Sequence, residues 1–230
     1  MKIKTALILC AGLGKRLNPL TIKKPKPLLE INGITLLENT INLVKSLNIS
    51  NIKINSYYLK DQIRNFISEK KFNINIEIVE DGSKILDTGG GILNLIKKSN
   101  EKNFLVFNPD TIWNLQYVNT INQMENFYFE NKIKNLLMVV NKDKSFDKRF
   151  KGDFELKISH LTKDEKVNNY IFTGCQIINK NLLLEFDNKP FSITKVWNNL
   201  INKNKLYGFE SLNEFVHITD IEIYKKLVKN

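Results

Sequence analysis

The chain has 230 residues, a formal net charge of +11 and two cysteines, and none of its apolar runs approaches the about 18–20 residues of a membrane span. That is enough chain for one domain with a sizeable core, and it excludes a helical membrane protein, a disulfide-stapled scaffold and a thiolate metal cluster. The lysines are scattered, with no long block or basic helix stripe, so the charge reads as a solvated basic surface or a lure for small anions rather than as a nucleic-acid footprint.

In chain order, "TALILCA" is a continuous apolar run bounded by glycine, as expected of a strand buried on both faces. It is too short for a secretory segment, so a cytoplasmic protein is expected, and Cys10 at its end reads as a small core residue. "TLLENTINLVKSLN" carries a helical apolar stripe behind a T-x-x-E capping box, Thr35 and Glu38. "NIKINSY" reads as a strand, "LKDQIRNFISEKK" as a helix and "INIEIVE" as a strand. "TGGGILNLIKKS" opens a helix on a glycine cluster, "NFLVFNPD" is a buried strand, "LQYVNTINQMENFYFENK" a helix and "KNLLMVVN" a strand. This alternation predicts a doubly wound, mostly parallel α/β sheet.

Beyond about residue 140 the pattern loosens. "DFELKI", "NYIFTGCQII" and "FVHI" are predicted strands, "ITKVWNNLINKN" a helix, and "TDIEIYKKLVK" a closing helix with a second capping box at Thr219 and Glu222. No linker separates the halves and no hexapeptide repeat of a β-helix is present. The expectation is a single domain over 1–230, in which the region after about residue 140 completes the same sheet and walls one side of a cleft.

Ligands of open α/β sheets bind beyond the carboxyl ends of the strands, which puts "AGLGKRL", "EDGSKILDTGGG", "NPDTIW" and "FTG" on one rim. Gly12-Leu13-Gly14-Lys15-Arg16-Leu17 lacks the third glycine of a dinucleotide fingerprint, and Arg16 stands where a P-loop needs Ser or Thr. What remains is a loop whose backbone N–H groups can approach an anion, flanked by two cations able to neutralise phosphates; an ordinary β–α turn with exposed Lys and Arg is the alternative. In "KKPKPLLEING" each proline biases its predecessor to extended backbone, which would hold Lys24 and Lys26 as rigid pegs; a surface turn reads equally from that stretch alone.

Taken together, G-x-G-x-R-x-x-P-L-T-x-x-x-P-K-P-L-L resembles the signature of the sugar-phosphate nucleotidyltransferases, and "LDTGGGI", "FLVFNPDTIW", "GDF", "FTGCQII" and "FSITKVWNNLINKNKLYG" follow in the family's order, most like its short members. The resemblance implies a Rossmann-like, three-layer fold without a C-terminal β-helix, with a nucleotide-binding core in 1–140 and sugar binding and completion of a metal site in 141–230. It also implies the reaction of an NTP with a sugar 1-phosphate to give an NDP-sugar and pyrophosphate. It assigns nucleotide contacts to Ala11, Gly12, Gly14, Lys15, Asp81, Gly89 and Gly90, sugar contacts to Asp153 and Gly174, and catalytic roles to Arg16, Lys26 and Asp110. Arg16 would steady the departing phosphates and Lys26 would draw in the sugar phosphate. Asp110 would hold Mg²⁺, or Mn²⁺, with His217 as second ligand.

The chain departs from the family pattern twice. Pro109 precedes Asp110 where glycine is usual, and His217 replaces the carboxylate of a late "V-D-x-G-T" segment, leaving Asp220 as another candidate ligand. UTP with N-acetylmuramate 1-phosphate is the expected pair, and GTP with mannose 1-phosphate the alternative. A non-catalytic nucleotide-sugar sensor is a further alternative, and a glycosyltransferase is disfavoured because "NPD" lacks the first carboxylate of a D-x-D pair. The expected partners are these small molecules, with neither nucleic acid nor membrane, and a monomer or small homo-oligomer. His160, Trp113 and Trp197 read as packing residues, with Trp113 bordering the cleft.

Overall fold

The computed structural model describes residues 2–187 and 189–229. The elements are β1 (Thr5–Leu9), a single turn α1 (Leu20–Lys23), a small hairpin of β2 (Glu30–Ile31) and β3 (Ile34–Thr35), α2 (Leu36–Ser46), β4 (Asn51–Ser56), α3 (Lys60–Lys70), β5 (Asn75–Glu80), α4 (Asp87–Lys97), β6 (Asn103–Phe107), α5 (Gln116–Glu130) and β7 (Asn135–Asn141). There follow β8 (Glu155–Lys157), β9 (His160–Thr162), β10 (Tyr170–Asn179), α6 (Thr194–Asn202), β11 (Tyr207–Ser211) and α7 (Ile221–Lys229).

Nine strands form one sheet in the order β5-β4-β1-β6-β10-β7-β11-β9-β8. The strands β5, β4, β1 and β6 run parallel, β10 is antiparallel to both its neighbours, and β11 is parallel to β7. Alternate residues of β1 feed opposite faces, as a doubly covered strand requires. Ala6 and Ile8 join Leu37, Ile41, Ile63, Tyr117 and Ile121 of α2, α3 and α5, while Leu7 joins Ile92, Ile96, Trp197 and Leu200 of α4 and α6. The architecture is therefore three-layered, and no β-helix occurs among the described residues. No helix among them is long and apolar enough to cross a membrane.

β4 lies on one side of β1 and β6 on the other, so the chain changes direction across the sheet at β1 and β6, and a crevice opens beyond their carboxyl ends. Two local expectations are corrected. "FVHI" is not a strand: Phe215 and His217 make only isolated bridges, to Ser145 and Thr111. The second capping box also shifts by one residue. Asp220, not Thr219, caps α7, its Oδ1 accepting from the amides of Glu222 (3.0 Å) and Ile223 (3.1 Å). The first box holds, with Thr35 Oγ1 accepting from the Glu38 amide at 3.1 Å.

Candidate active site

A cleft of about 370 Å³ lies at the switch point, and its wall includes Ala11, Gly12, Gly14, Lys15, Arg16, Lys26, Asn55, Asp87, Thr88, Asp110 and Thr219. Its floor is the turn after β1. Gly14 has φ of +64°, a backbone state that suits glycine, and a Cβ there would meet the Thr21 methyl at 3.0 Å and Lys26 Cβ at 3.2 Å. Thr21 locks the turn by donating to the Gly14 carbonyl at 2.9 Å. A Cβ on Gly12 would meet nothing within 4 Å, so its backbone borders open space. Lys15 and Arg16 are exposed on the wall, and neither side chain has a hydrogen-bond or ion-pair partner among the described residues. Behind the turn, Leu17, Leu29, Leu36 and Ile218 form a small core against Tyr224 and Leu227 of α7.

The opposite wall is the segment after β6. Asp110 Oδ2 accepts from Lys26 Nζ at 2.6 Å and lies 3.3 Å from His217 Nε2, and Lys26 Nζ also donates to the Ile218 carbonyl at 2.8 Å. Burial raises the Asp110 carboxyl's pKa, but the Lys26 ammonium and then His217 outweigh it and hold the group well below the usual carboxylate range. Asp110 Oδ1 is buried without a partner. Lys24, the other expected peg, points away and pairs with Glu30 at 2.7 Å.

Asp110 and His217 come together, as do Ala11, Gly12, Gly14, Lys15, Arg16 and Lys26 on the cleft wall. Asp81 stands one layer behind. It accepts from Asn55 Nδ2 at 2.9 Å and from Asn94 at 3.2 Å, and burial raises its carboxyl against those bonds. Asn55 Oδ1 in turn accepts from the Cys10 amide at 2.8 Å, pinning the end of β1. Gly89 and Gly90 are buried in the first turn of α4, where both amides donate to the Phe191 carbonyl (2.9 and 3.1 Å). The stretch reaches the cleft through Asp87 and Thr88 instead. Gly174, with φ of +89°, is buried against Asn108, whose amide donates to its carbonyl at 2.8 Å. Asp153 is exposed and accepts from the Phe172 amide at 2.9 Å. Neither is part of the cleft wall.

Asp220 is not beside Asp110. It caps α7 and pairs with Arg149 at 2.8 Å, and Arg149 grips the buried Asp147 through two 2.8 Å bonds. The Arg149 hydrogen bonds, outweighing burial, hold the Asp147 carboxyl at about 2. Trp113 is packed in the core edge-on to Phe107 and Tyr117, and His160 lies against Tyr207 on the far edge. The sequence does not single out Asn55, Thr88, Asp147 or Thr219 as site residues. The place of Asn55 near the carboxyl end of the strand "NIKINS", on the ligand-binding rim, was the available signal for the first.

Residues 5–150 match the nucleotidyl transferase family. The chain belongs to that family. It is 23% identical over 223 residues to N-acetylmuramate alpha-1-phosphate uridylyltransferase of Caulobacter vibrioides, covering 94% of this chain and 92% of that protein. It is 28% identical to the mannose-1-phosphate guanyltransferase of Hypocrea jecorina, covering 89% of this chain and 57% of that one. Other curated relatives are matched over about half their length, so their full activities do not transfer. The fold is shared with HddC of Yersinia pseudotuberculosis, with a TM-score of 0.77, 21% identity and 99% of each chain covered.

Nucleotidyltransferases work with a divalent cation, and the chemistry of the wall suits one. Asp110 Oδ1 is a hard, buried and unpartnered acceptor, and His217 Nε2 faces the same carboxylate. No cluster of three or more potential metal ligands occurs among the described residues. A hard cation held by one or two protein ligands completes its shell with phosphate and water.

Proposed function

We propose that the cleft joins an NTP to a sugar 1-phosphate, releasing pyrophosphate, and that the pair is UTP with N-acetylmuramate 1-phosphate. The observation that carries the reading is the placement of charge. Two cations with no side-chain partner among the described residues, Lys15 and Arg16, flank a glycine turn on a cleft whose lining also holds a cation–carboxylate pair, Lys26 and Asp110. Two anionic reactants need such a lining before they can approach.

A sugar phosphate oxygen attacks the α-phosphorus, the bond from that phosphorus to the bridging oxygen breaks, and the electron pair leaves on pyrophosphate. Amides of Ala11 to Gly14 cradle the triphosphate, and Arg16 and Lys15 stabilise charge growing on the leaving group. Lys26 draws the incoming phosphate toward the α-phosphorus. Asp110 and His217 would hold the cation, which supplies charge neutralisation at the phosphate oxygens. Asp81 sets the base end of the cleft through Asn55, and Gly89 and Gly90 through the packing of α4, while Asp153 and Gly174 lie outside the cleft wall and take the sugar side only as the family resemblance assigns it.

Full-length similarity to the uridylyltransferase supports the substrate pair, and similarity to the guanyltransferase supports GTP with mannose 1-phosphate as the second reading. The test is pyrophosphate release from UTP and GTP, each against N-acetylmuramate, N-acetylglucosamine, glucose and mannose 1-phosphates, with Mg²⁺ or Mn²⁺. The largest kcat/KM is expected for the first pair, and silence from every pair refutes the reaction. Arg16→Ala should lower kcat by about 10²–10³-fold with unchanged melting, because its side chain holds nothing in the protein.

A further inference from the structure

We infer that Asp147 and Thr219 are positioning residues that present the Nε2 lone pair of His217 to the divalent cation held with Asp110. The inference rests on the nucleotidyltransferase reading for the presence of a cation, and goes beyond it in assigning a supporting pair and a metal preference.

The argument is one of hydrogen-bond accounting. Asp147 is 3% exposed, and Arg149 fills its two oxygens with 2.8 Å bonds, so it is an ionised carboxylate that can only accept. Thr219 Oγ1 lies 3.0 Å from Asp147 Oδ2 and has one proton, which it must give there. Its lone pairs then remain, and His217 Nδ1 lies 3.5 Å away. That contact is at the outer limit for a hydrogen bond, yet it is the sole partner of Nδ1 among the described residues. The hydroxyl can only accept from it, so it favours a hydrogen on Nδ1, the tautomer that frees Nε2 for a metal. Nε2 lies 3.3 Å from Asp110 Oδ2, so a hydrogen there is shared with the carboxylate, and a cation that displaces it meets both ligands.

The ring is packed against two aromatic side chains that also meet each other at 6.0 Å. Phe215 stacks on it with centroids 5.8 Å apart and an interplanar angle of 22°, and Phe150 meets it at 6.0 Å. Arg149 ties Asp147 to Asp220, the cap of α7, so the support is anchored on the helix that also backs the glycine turn. Carboxylate-to-histidine supports of this kind fix tautomer and ring orientation, and their loss commonly costs about 10–100-fold in metal affinity. Here a threonine hydroxyl is interposed. An imidazole ligand also shifts preference from Mg²⁺ toward Mn²⁺ and Co²⁺.

The test is metal binding to the full chain without nucleotide. Mn²⁺ is followed by water-proton relaxation and Co²⁺ by visible absorption, in the native protein and in Thr219→Val and Thr219→Ser. Native protein should bind Mn²⁺ more tightly than Mg²⁺ in competition and give a Co²⁺ spectrum with nitrogen ligation. Thr219→Val should lose about 10–100-fold in Mn²⁺ affinity and change that spectrum, while Thr219→Ser keeps both. Unchanged binding in Thr219→Val, or no Mn²⁺ binding by a native protein that does release pyrophosphate, overturns the inference. Circular dichroism on each variant separates loss of metal from loss of fold. Thr219-dependent binding in a protein silent with every substrate pair would sustain the support and refute the reaction instead.

Discussion

Lys26 carries two duties that conflict. Its ammonium is spent on Asp110 Oδ2 and the Ile218 carbonyl, with its side chain only 14% exposed, so a sugar phosphate must draw it away from a carboxylate that then needs another counter-charge. Removing the ammonium leaves Asp110 with His217 alone. Lys26→Ala should therefore lower kcat/KM for pyrophosphate release by about 10²–10³-fold. It should also cost about 1–3 kcal/mol in urea unfolding, since the carboxylate it abandons is largely buried. Lys24→Ala, which removes an exposed pair with Glu30, should change stability by less than about 1 kcal/mol and leave turnover intact. Equal effects from the two substitutions would refute the assignment. The role of "PKP" was legible because proline geometry constrains the backbone locally. Which of its two lysines reaches Asp110 was not, because that depends on a partner 84 residues away.

At the scale of the element, α4 shows why a glycine cluster at a helix start misleads. A mid-helix Gly→Ala change ordinarily stabilises by about 1 kcal/mol. Gly89 is in the first turn of α4, but a Cβ there would fall 2.3 Å from the Phe191 ring and 2.9 Å from its carbonyl, which accepts the Gly89 amide. Gly89→Ala should thus reverse the usual sign and destabilise by about 1–3 kcal/mol in thermal or urea unfolding, the range for overpacked sites. A gain in stability would show that the 189–193 segment yields freely. In the sequence these glycines suggested a surface for a base, yet the space they leave is filled by the chain's own later segment. The same limit hid the antiparallel run of β10. "YIFTGCQII" is apolar on both faces, as any interior strand must be, and periodicity carries no direction. The β–α alternation of the first half was legible because each unit is a local pattern closed by its own turn.

The whole molecule holds its site together by returning its last helix to its first turn. Leu17 and Leu29 pack with Ile218 and with Tyr224 and Leu227 of α7, and the polar half of that join is Arg149, gripping Asp147 and Asp220. No stretch of sequence announces this, since its members come from residues 17 to 227 and each reads alone as a surface charge or a spare apolar residue. The join makes acid stability a measure of the closure. Asp147 is held at about 2 against an ordinary 3.8, and Asp220 is lowered as well, burial opposing and its bonds prevailing. A carboxyl depressed in the folded state contributes stability that is fully present above its unfolded pKa and is lost as pH falls through the folded value. Urea midpoints should accordingly be flat from about pH 7 to 5 and fall between about pH 4 and 2. Asp147→Asn should cost about 1–2 kcal/mol at pH 7, a figure discounted for the partly exposed arginine, and the gap from the native protein should close as pH falls toward 2. A gap independent of pH would mean that Asp147 acts through shape and hydrogen bonding rather than charge, and that the tie between the 145–150 loop and α7 is not electrostatic.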